Sequence, residues 1–174
     1  MDHVVTSSEH RFPLVLNTDD SIGTLENEQR ITLSNAWREA VRFGCRRSVW
    51  AKRIAEMEAL MPTFQEHGTV FMGSGDFHHL SYALIQRCID AGGYDMLRPL
   101  QVVILDNHPD NMRFPWGIHC GSWVQRVALL PAVGPTLFRR VGPMTRREQV
   151  LERQSDSGQH ILRPATGKAL HQHL

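Results

Sequence analysis

The sequence predicts an α/β fold built on a mainly parallel sheet. Val102-Val103-Ile104-Leu105 is an unbroken apolar run rich in β-branched residues, the composition of a strand covered on both faces. A second run, Thr69-Val70-Phe71-Met72, ends in Gly73-Ser74-Gly75-Asp76 and leads into a helical pattern, a strand–turn–helix sequence. The next strand follows that helix, which makes a β-α-β unit, parallel and right-handed. At 174 residues the chain is long enough for one domain with a sizeable core.

Taken in order, residues 1–12 are polar and carry no pattern. Phe12-Pro13-Leu14-Val15-Leu16 predicts an early strand, and Asn17-Thr18-Asp19-Asp20-Ser21 a turn after it. Asp19 and Asp20 could line a site at that strand end, but the stronger expectation is that they cap or solvate the turn. Residues 27–61 read as helix, with Gly44 as an interruption. Ala36, Trp37, Ala40, Val41 and Phe43 give the first apolar stripe, and Val49, Trp50, Ile54, Met57, Leu60 and Met61 the second. Pro62 stops it. Arg46, Arg47, Lys52 and Arg53 are followed by Glu56 and Glu58, which reads as a solvated helix face rather than a nucleic-acid surface.

The helix opened by Phe77-His78-His79-Leu80 reaches about Ala91, with Leu80, Ala83, Leu84 and Cys88 on its apolar face. Gly92-Gly93 ends it. Gly73 and Gly75 lack the third glycine of a dinucleotide-binding turn. Residues 101–105 form the next strand. A loop through Phe114-Pro115-Trp116-Gly117-Ile118 leads to a helix starting near Gly121-Ser122, with Trp123, Val124, Val127, Leu129 and Leu130 on it. Residues 136–141 predict a further short strand. Residues 1–150 are expected to form a single α/β domain, and residues 151–174 a polar, disordered tail with few large apolar groups.

Composition excludes several functions. Lys plus Arg number 19 and Asp plus Glu 18, so no net field favours nucleic acid or a membrane surface. No run of roughly 18 apolar residues predicts a membrane span. Met1-Asp2-His3 does not open a secretory leader. Cys45, Cys88 and Cys120 are odd in number and widely spaced, which fits neither a disulfide framework nor a zinc knuckle. A reducing cytoplasm is the expected location.

The chemistry concentrates after the strand at 102–105. Asp106-Asn107-His108-Pro109-Asp110 places two carboxylates and an imidazole at i, i+2, i+4. On a strand continuing as an extended loop, that spacing aims all three the same way. Ligands of open α/β sheets bind at the carboxyl ends of strands, and carboxylate plus imidazole suits a divalent metal. If the strand at 69–72 neighbours this one, His78 or His79 joins the set. His119 could pass a proton to or from a metal-bound water. Cys120, adjacent to it, is read as a packed thiol rather than a nucleophile. His160, His171 and His173 in the polar tail are read as solvated.

Three motifs resemble those of the arginase/agmatinase (ureohydrolase) family. Asp106-Asn107-His108-Pro109-Asp110 is similar to its Asp-Ala-His-x-Asp signature. Gly73-Ser74-Gly75-Asp76-Phe77-His78 is similar to its Gly-Gly-Asp-His motif, and His119-Cys120-Gly121 to its His-Gly motif. The resemblance spans about residues 70–124, in order and with similar spacing. It implies a three-layer α/β/α sandwich of the arginase/deacetylase type. It also implies two manganese ions bridged by a hydroxide that attacks a guanidino-type or related C–N centre of a small molecule. By motif, His78 would ligate one metal and His108 the other, Asp106 would bridge them, Asp110 would join the first, and His119 would be the proton shuttle.

The sequence departs from this pattern twice. Phe77 separates Asp76 from His78 where the family has no residue, which makes His79 the alternate ligand. No Asp-x-Asp pair follows Asp110, and Asp156 is the only later aspartate. The resemblance therefore implies the N-terminal portion of such a fold, truncated relative to the family, whose exposed sheet would favour homo-oligomers. Two other readings compete. A zinc deacetylase-like hydrolase would use His78-His79 as a tandem acid/base pair. A non-catalytic metal-binding or self-associating form of the fold would explain the missing aspartates.

Overall fold

The computed structural model of the chain describes residues 11–140 and 160–162, with the side chains of residues 136–140 and 160–162 left aside. The described residues are mixed α/β, with a parallel three-stranded sheet and four α-helices. They divide into two compact units. The first holds the residues up to Leu80 together with Trp116–Cys120, the second Ser81–Pro115 and the residues from Gly121 onward.

In the first unit, β1 (Phe12–Asn17) lies between β2 (Gln29–Thr32) and β4 (His67–Met72), parallel to both. Leu14, Val15 and Leu16 are all fully buried. Consecutive residues of a strand face opposite ways, so this strand is covered on both faces. The helical reading of residues 29–32 does not hold, because Ile31 and its neighbours pair with β1 along Leu16 and Asn17. A weak local pattern gives way to a strand partner. Helix α1 (Asn35–Val41) is capped by the Ser34 hydroxyl, which accepts from the Trp37 N–H. It buries Trp37 and Val41. The Trp37 indole donates to the Arg53 carbonyl at 2.8 Å, tying α1 to α2 (Arg47–Glu58). On α2, Ile54 and Met57 point inward while Leu60 beyond its end is exposed. Arg53 pairs with Glu56, as a solvated face does.

Gly44 interrupts the helical stretch as expected, but Phe43 and Gly44 take positive φ and open a strand instead of a second helix start. That strand, β3 (Gly44–Arg46), pairs antiparallel with β6 (Gly117–His119), so residues 117–119 are strand rather than loop. A Cβ on Gly44 would sit 2.6 Å from the Ile118 carbonyl, and one on Gly117 would run into the Cys45 carbonyl. Glycine at both positions lets the two backbones close.

In the second unit, α3 (Ser81–Gly92) ends at Gly93, which has φ +63, the left-handed stop expected of that pair. β5 (Val103–Asp106) pairs parallel with β7 (Thr136–Arg140), and β7 pairs antiparallel with β8 (His160–Leu162). Between β5 and β7 runs α4 (Trp123–Ala128), which follows a 3-10 turn at Cys120–Ser122 and buries Val124 and Val127 completely. Here the expectation of a strand buried on both faces fails. Val102 and Ile104 are buried, but Val103 is 60 % and Leu105 67 % exposed. Unpatterned as the tail looked, it contributes β8, and the remainder of the expected disordered segment 151–174 lies outside the described residues. Among the described residues, no helix is long and apolar enough to cross a membrane, and no disulfide joins Cys45, Cys88 or Cys120.

Candidate metal-binding residues

In the first unit, β4 leads through Gly73 into a 3-10 helix, Gly75–Leu80, which carries Asp76, His78 and His79. A Cβ on Gly73 would strike the Thr18 hydroxyl and the Asp19 carboxylate, so a larger residue there would displace those side chains. Phe77, His79 and Leu80 turn inward. Asp76 accepts from the Arg42 guanidinium at 2.9 Å, and its carbonyl accepts from the Phe43 N–H. This aspartate of the motif is thus held as an ion-pair partner at the end of α1.

The two adjacent histidines differ sharply. His78 is half-buried, and its Nε2 lies 3.0 Å from the Cys120 carbonyl oxygen. A carbonyl can only accept, so Nε2 carries the proton. Metal-ligating histidines usually donate their other ring N–H in this way, to a carbonyl or carboxylate. His79 is fully buried against the Trp50 ring, with centroids 5.8 Å apart. Burial depresses its pKa to about 4, the His78 charge adds to this, the Val41 carbonyl opposes it, and His119 again lowers it. Neither ring nitrogen has a hydrogen-bond partner of good geometry, so His79 is a neutral core imidazole. The 3-10 geometry, with its three-residue turn, points these neighbours in different directions.

His119 ends β6, half-buried and paired across the strands with Gly44. Cys120 Sγ lies 3.7 Å from its Nδ1 and 3.8 Å from its Nε2. A thiol hydrogen-bonded in the ring plane would favour one nitrogen over the other. Near-equal distances place the sulfur against the ring face, which is packing rather than nucleophile activation. The Cys120 N–H donates to the Phe43 carbonyl at 2.8 Å, which fixes the same residue's carbonyl opposite His78. Burial pushes the Cys45 thiol up to about 11, so it too is inert at neutral pH.

In the second unit, β5 delivers Asp106, half-buried, at its carboxyl end. The extended continuation expected past it is not formed. The chain bends at Asn107 and His108, and the His108 N–H donates to Asp106 Oδ1 at 3.2 Å, an Asx-type turn. His108 is exposed as a result, while Asp110 is buried. Asp110 sits in the left-handed region at φ +43, which aspartate tolerates better than most residues. Its Oδ2 accepts from the Trp123 indole at 3.1 Å, and its carbonyl accepts from the Val124 N–H at 3.1 Å. Sequence reasoning missed both Trp123, which it read as a core residue, and the Cys120 carbonyl, whose part no side-chain pattern could signal.

No family model matches the chain, and no solved structure matches it. It is similar to an uncharacterized protein of Thermotoga maritima, 32% identical over 87 residues. That match covers 50% of this chain and 32% of the relative, so the chain spans about a third of the length of the curated relative it matches.

Proposed function

We propose, from the three motifs, that this chain binds a divalent metal ion, manganese by preference, with His78, Asp106, His108 and Asp110 as its ligands, and hydrolyses a C–N bond of a guanidino-type or related amide small molecule. The observation that carries the reading is the His78 Nε2–H to Cys120 carbonyl bond, the hydrogen bond that a metal-ligating histidine usually makes. The oxygen and imidazole donors of these motifs suit manganese. A bound divalent ion would make hydroxide available near neutral pH.

The chain's own residues divide the remaining work. By motif, His78, Asp106 and Asp110 would hold the ion. His119, half-buried at the end of β6, serves as proton shuttle. His108 joins the ligands only when the bend at Asn107 and His108 opens, so His108→Ala weakens metal binding less than His78→Ala. The neutral, enclosed state of His79 argues for His78 as ligand. It also argues against the zinc deacetylase-like reading, which needs both histidines at the substrate. The three-layer α/β/α arrangement, the ureohydrolase kinship, self-association and a cytoplasmic setting belong to the same proposal.

In a second reading, a non-catalytic metal-binding form of the fold carries the same ligands without turnover. Titration calorimetry with manganese and zinc in competition is expected to give one manganese per chain, with binding lost in Asp106→Ala and in His78→Ala. Unchanged binding in both variants would sink the metal assignment. Screening the manganese-loaded chain on guanidino and acylamino compounds separates the two readings: binding without turnover favours the second.

A further inference from the structure

We infer that the Asp76 carboxylate and the Phe43 ring form a subsite for the guanidinium of a small-molecule ligand, and that Arg42 fills this subsite in the free protein. The ligand class rests on the guanidino reading above. The subsite itself lies within the first unit and needs no metal. Arg42 follows the last residue of α1 as its cap, and its guanidinium meets two partners at once. Its Nε donates to Asp76 Oδ2 at 2.9 Å, and one Nη lies 2.9 Å from the same oxygen. Its central carbon stands 5.1 Å from the centre of the Phe43 ring. A carboxylate beside an aromatic face suits a planar cation twice over, through charge-assisted hydrogen bonds and through the ring quadrupole. The backbone builds this arrangement. Phe43 stands at φ +61, a region that bulky residues rarely adopt. Two bonds hold it there: its N–H donates to the Asp76 carbonyl at 2.9 Å, and its carbonyl accepts from the Cys120 N–H at 2.8 Å. Such strain persists where the surroundings over-determine it, and it clusters at ligand clamps. The Cys120 carbonyl in turn accepts from His78, and Asp76 lies two residues before His78 on the same 3-10 helix, so the subsite adjoins the histidine motifs. The Arg42 and Asp76 side chains are 49 % and 28 % exposed. An ion pair so open to water is weak, and a ligand guanidinium can take the place of Arg42 like for like.

Titration of 15N-labelled protein with methylguanidinium chloride tests this, followed at the Arg42 Nε–H and the Phe43 backbone N–H at mildly acidic pH, where the guanidinium proton exchanges slowly. In wild type the Arg42 resonance is expected to move toward that of a solvated arginine as the ligand takes Asp76. Arg42→Ala empties the subsite. Its affinity for methylguanidinium, read at the Phe43 N–H, is expected to be about 2- to 5-fold higher, the competition that an exposed ion pair offers. N-methylurea has the same shape without the charge and is expected to leave both resonances in place. Asp76→Asn is expected to abolish the response to methylguanidinium. An Arg42 resonance that methylguanidinium does not move overturns the inference, and so does Arg42→Ala that folds and binds no more tightly than wild type. Should a variant fail to fold, the wild-type Arg42 resonance still decides. Binding that follows this pattern in a chain that turns over no guanidino compound upholds the subsite and removes the hydrolase reading. Turnover of such a compound by a chain whose Arg42 resonance never moves does the reverse.

Discussion

The turn after β1 and the turn after β5 are both rich in aspartate, yet their carboxylates meet different donors. Asp19 accepts from the Ser21 N–H and hydroxyl at 3.2 and 2.6 Å and from the Ser74 N–H at 2.7 Å. Asp20 is held by Asn17 at 2.7 Å and by the Arg38 guanidinium at 2.8 Å. These donors come from within the turn, from the adjoining β4 turn and from α1, and together they stitch the strand ends. After β5, Asp106 accepts from the His108 backbone, and Asp110 accepts from a buried indole on α4. An aspartate after a strand is thus a turn former or a candidate ligand according to its donors, and spacing alone does not separate the two.

The largest expected effect breaks this contrast outright. Asp110→Ala is expected to lower manganese affinity by 100-fold or more, on the order of 3 kcal/mol, while Asp19→Ala leaves that affinity unchanged and lowers thermal stability only. Parallel titration and melting of the two variants checks it, and equal losses of affinity would erase the distinction between the turns.

A smaller effect tests how the first unit holds His78. Gly117→Ala drives a Cβ into the Cys45 carbonyl and should cost about 2–4 kcal/mol of stability. Because β6 leads directly to the Cys120 carbonyl, metal affinity is expected to fall with it. A melt that drops while affinity stays at the wild-type value would mean that the carbonyl is not needed to orient His78.

The smallest is a pH effect confined to the first turn. Partial burial raises the Asp19 pKa, but the Ser21 and Ser74 hydrogen bonds outweigh it and bring it from 3.8 down to about 2. A folded pKa below the unfolded one stabilises above the unfolded value and loses that contribution as pH falls through the folded value. Between pH 4 and 2 this group is therefore expected to lose about 1–2 kcal/mol of stability. In Asp19→Asn, acid unfolding monitored by circular dichroism should be correspondingly flatter over that interval. An identical acid limb in wild type and variant would contradict the assignment.

Much of the frame was legible. β1 and β4, the glycine turn after β4, the Gly92-Gly93 stop, the apolar face of α4 and the strand at β7 all follow from local pattern. The turn-forming roles of Asp19 and Asp20 were legible too, from residue type after a strand. β2 was not, because its four residues carry too little period to outweigh the helical context around them, and only pairing with β1 makes them a strand. β3 and β6 were hidden for the same reason: each is three residues long, and they are more than 70 positions apart. Among the candidate ligands, the motifs named His78, Asp106, His108 and Asp110. They could not reveal that the chain bends between Asp106 and His108.

The sequence by itself determined the α/β class, the position of the acidic and histidine motifs beyond strand ends, and the absence of a strong net charge. These depend on residue type and on neighbours a few positions away. Only the tertiary structure decided that His78 bonds the Cys120 carbonyl while His79 is sealed in the core. It also decided that β5 is covered on one face alone, and that Asp110 is held by an indole from α4. Each of those depends on a donor or a surface brought in from a distant part of the chain, and burial, tautomer and carboxylate orientation are set by that encounter rather than by the local sequence.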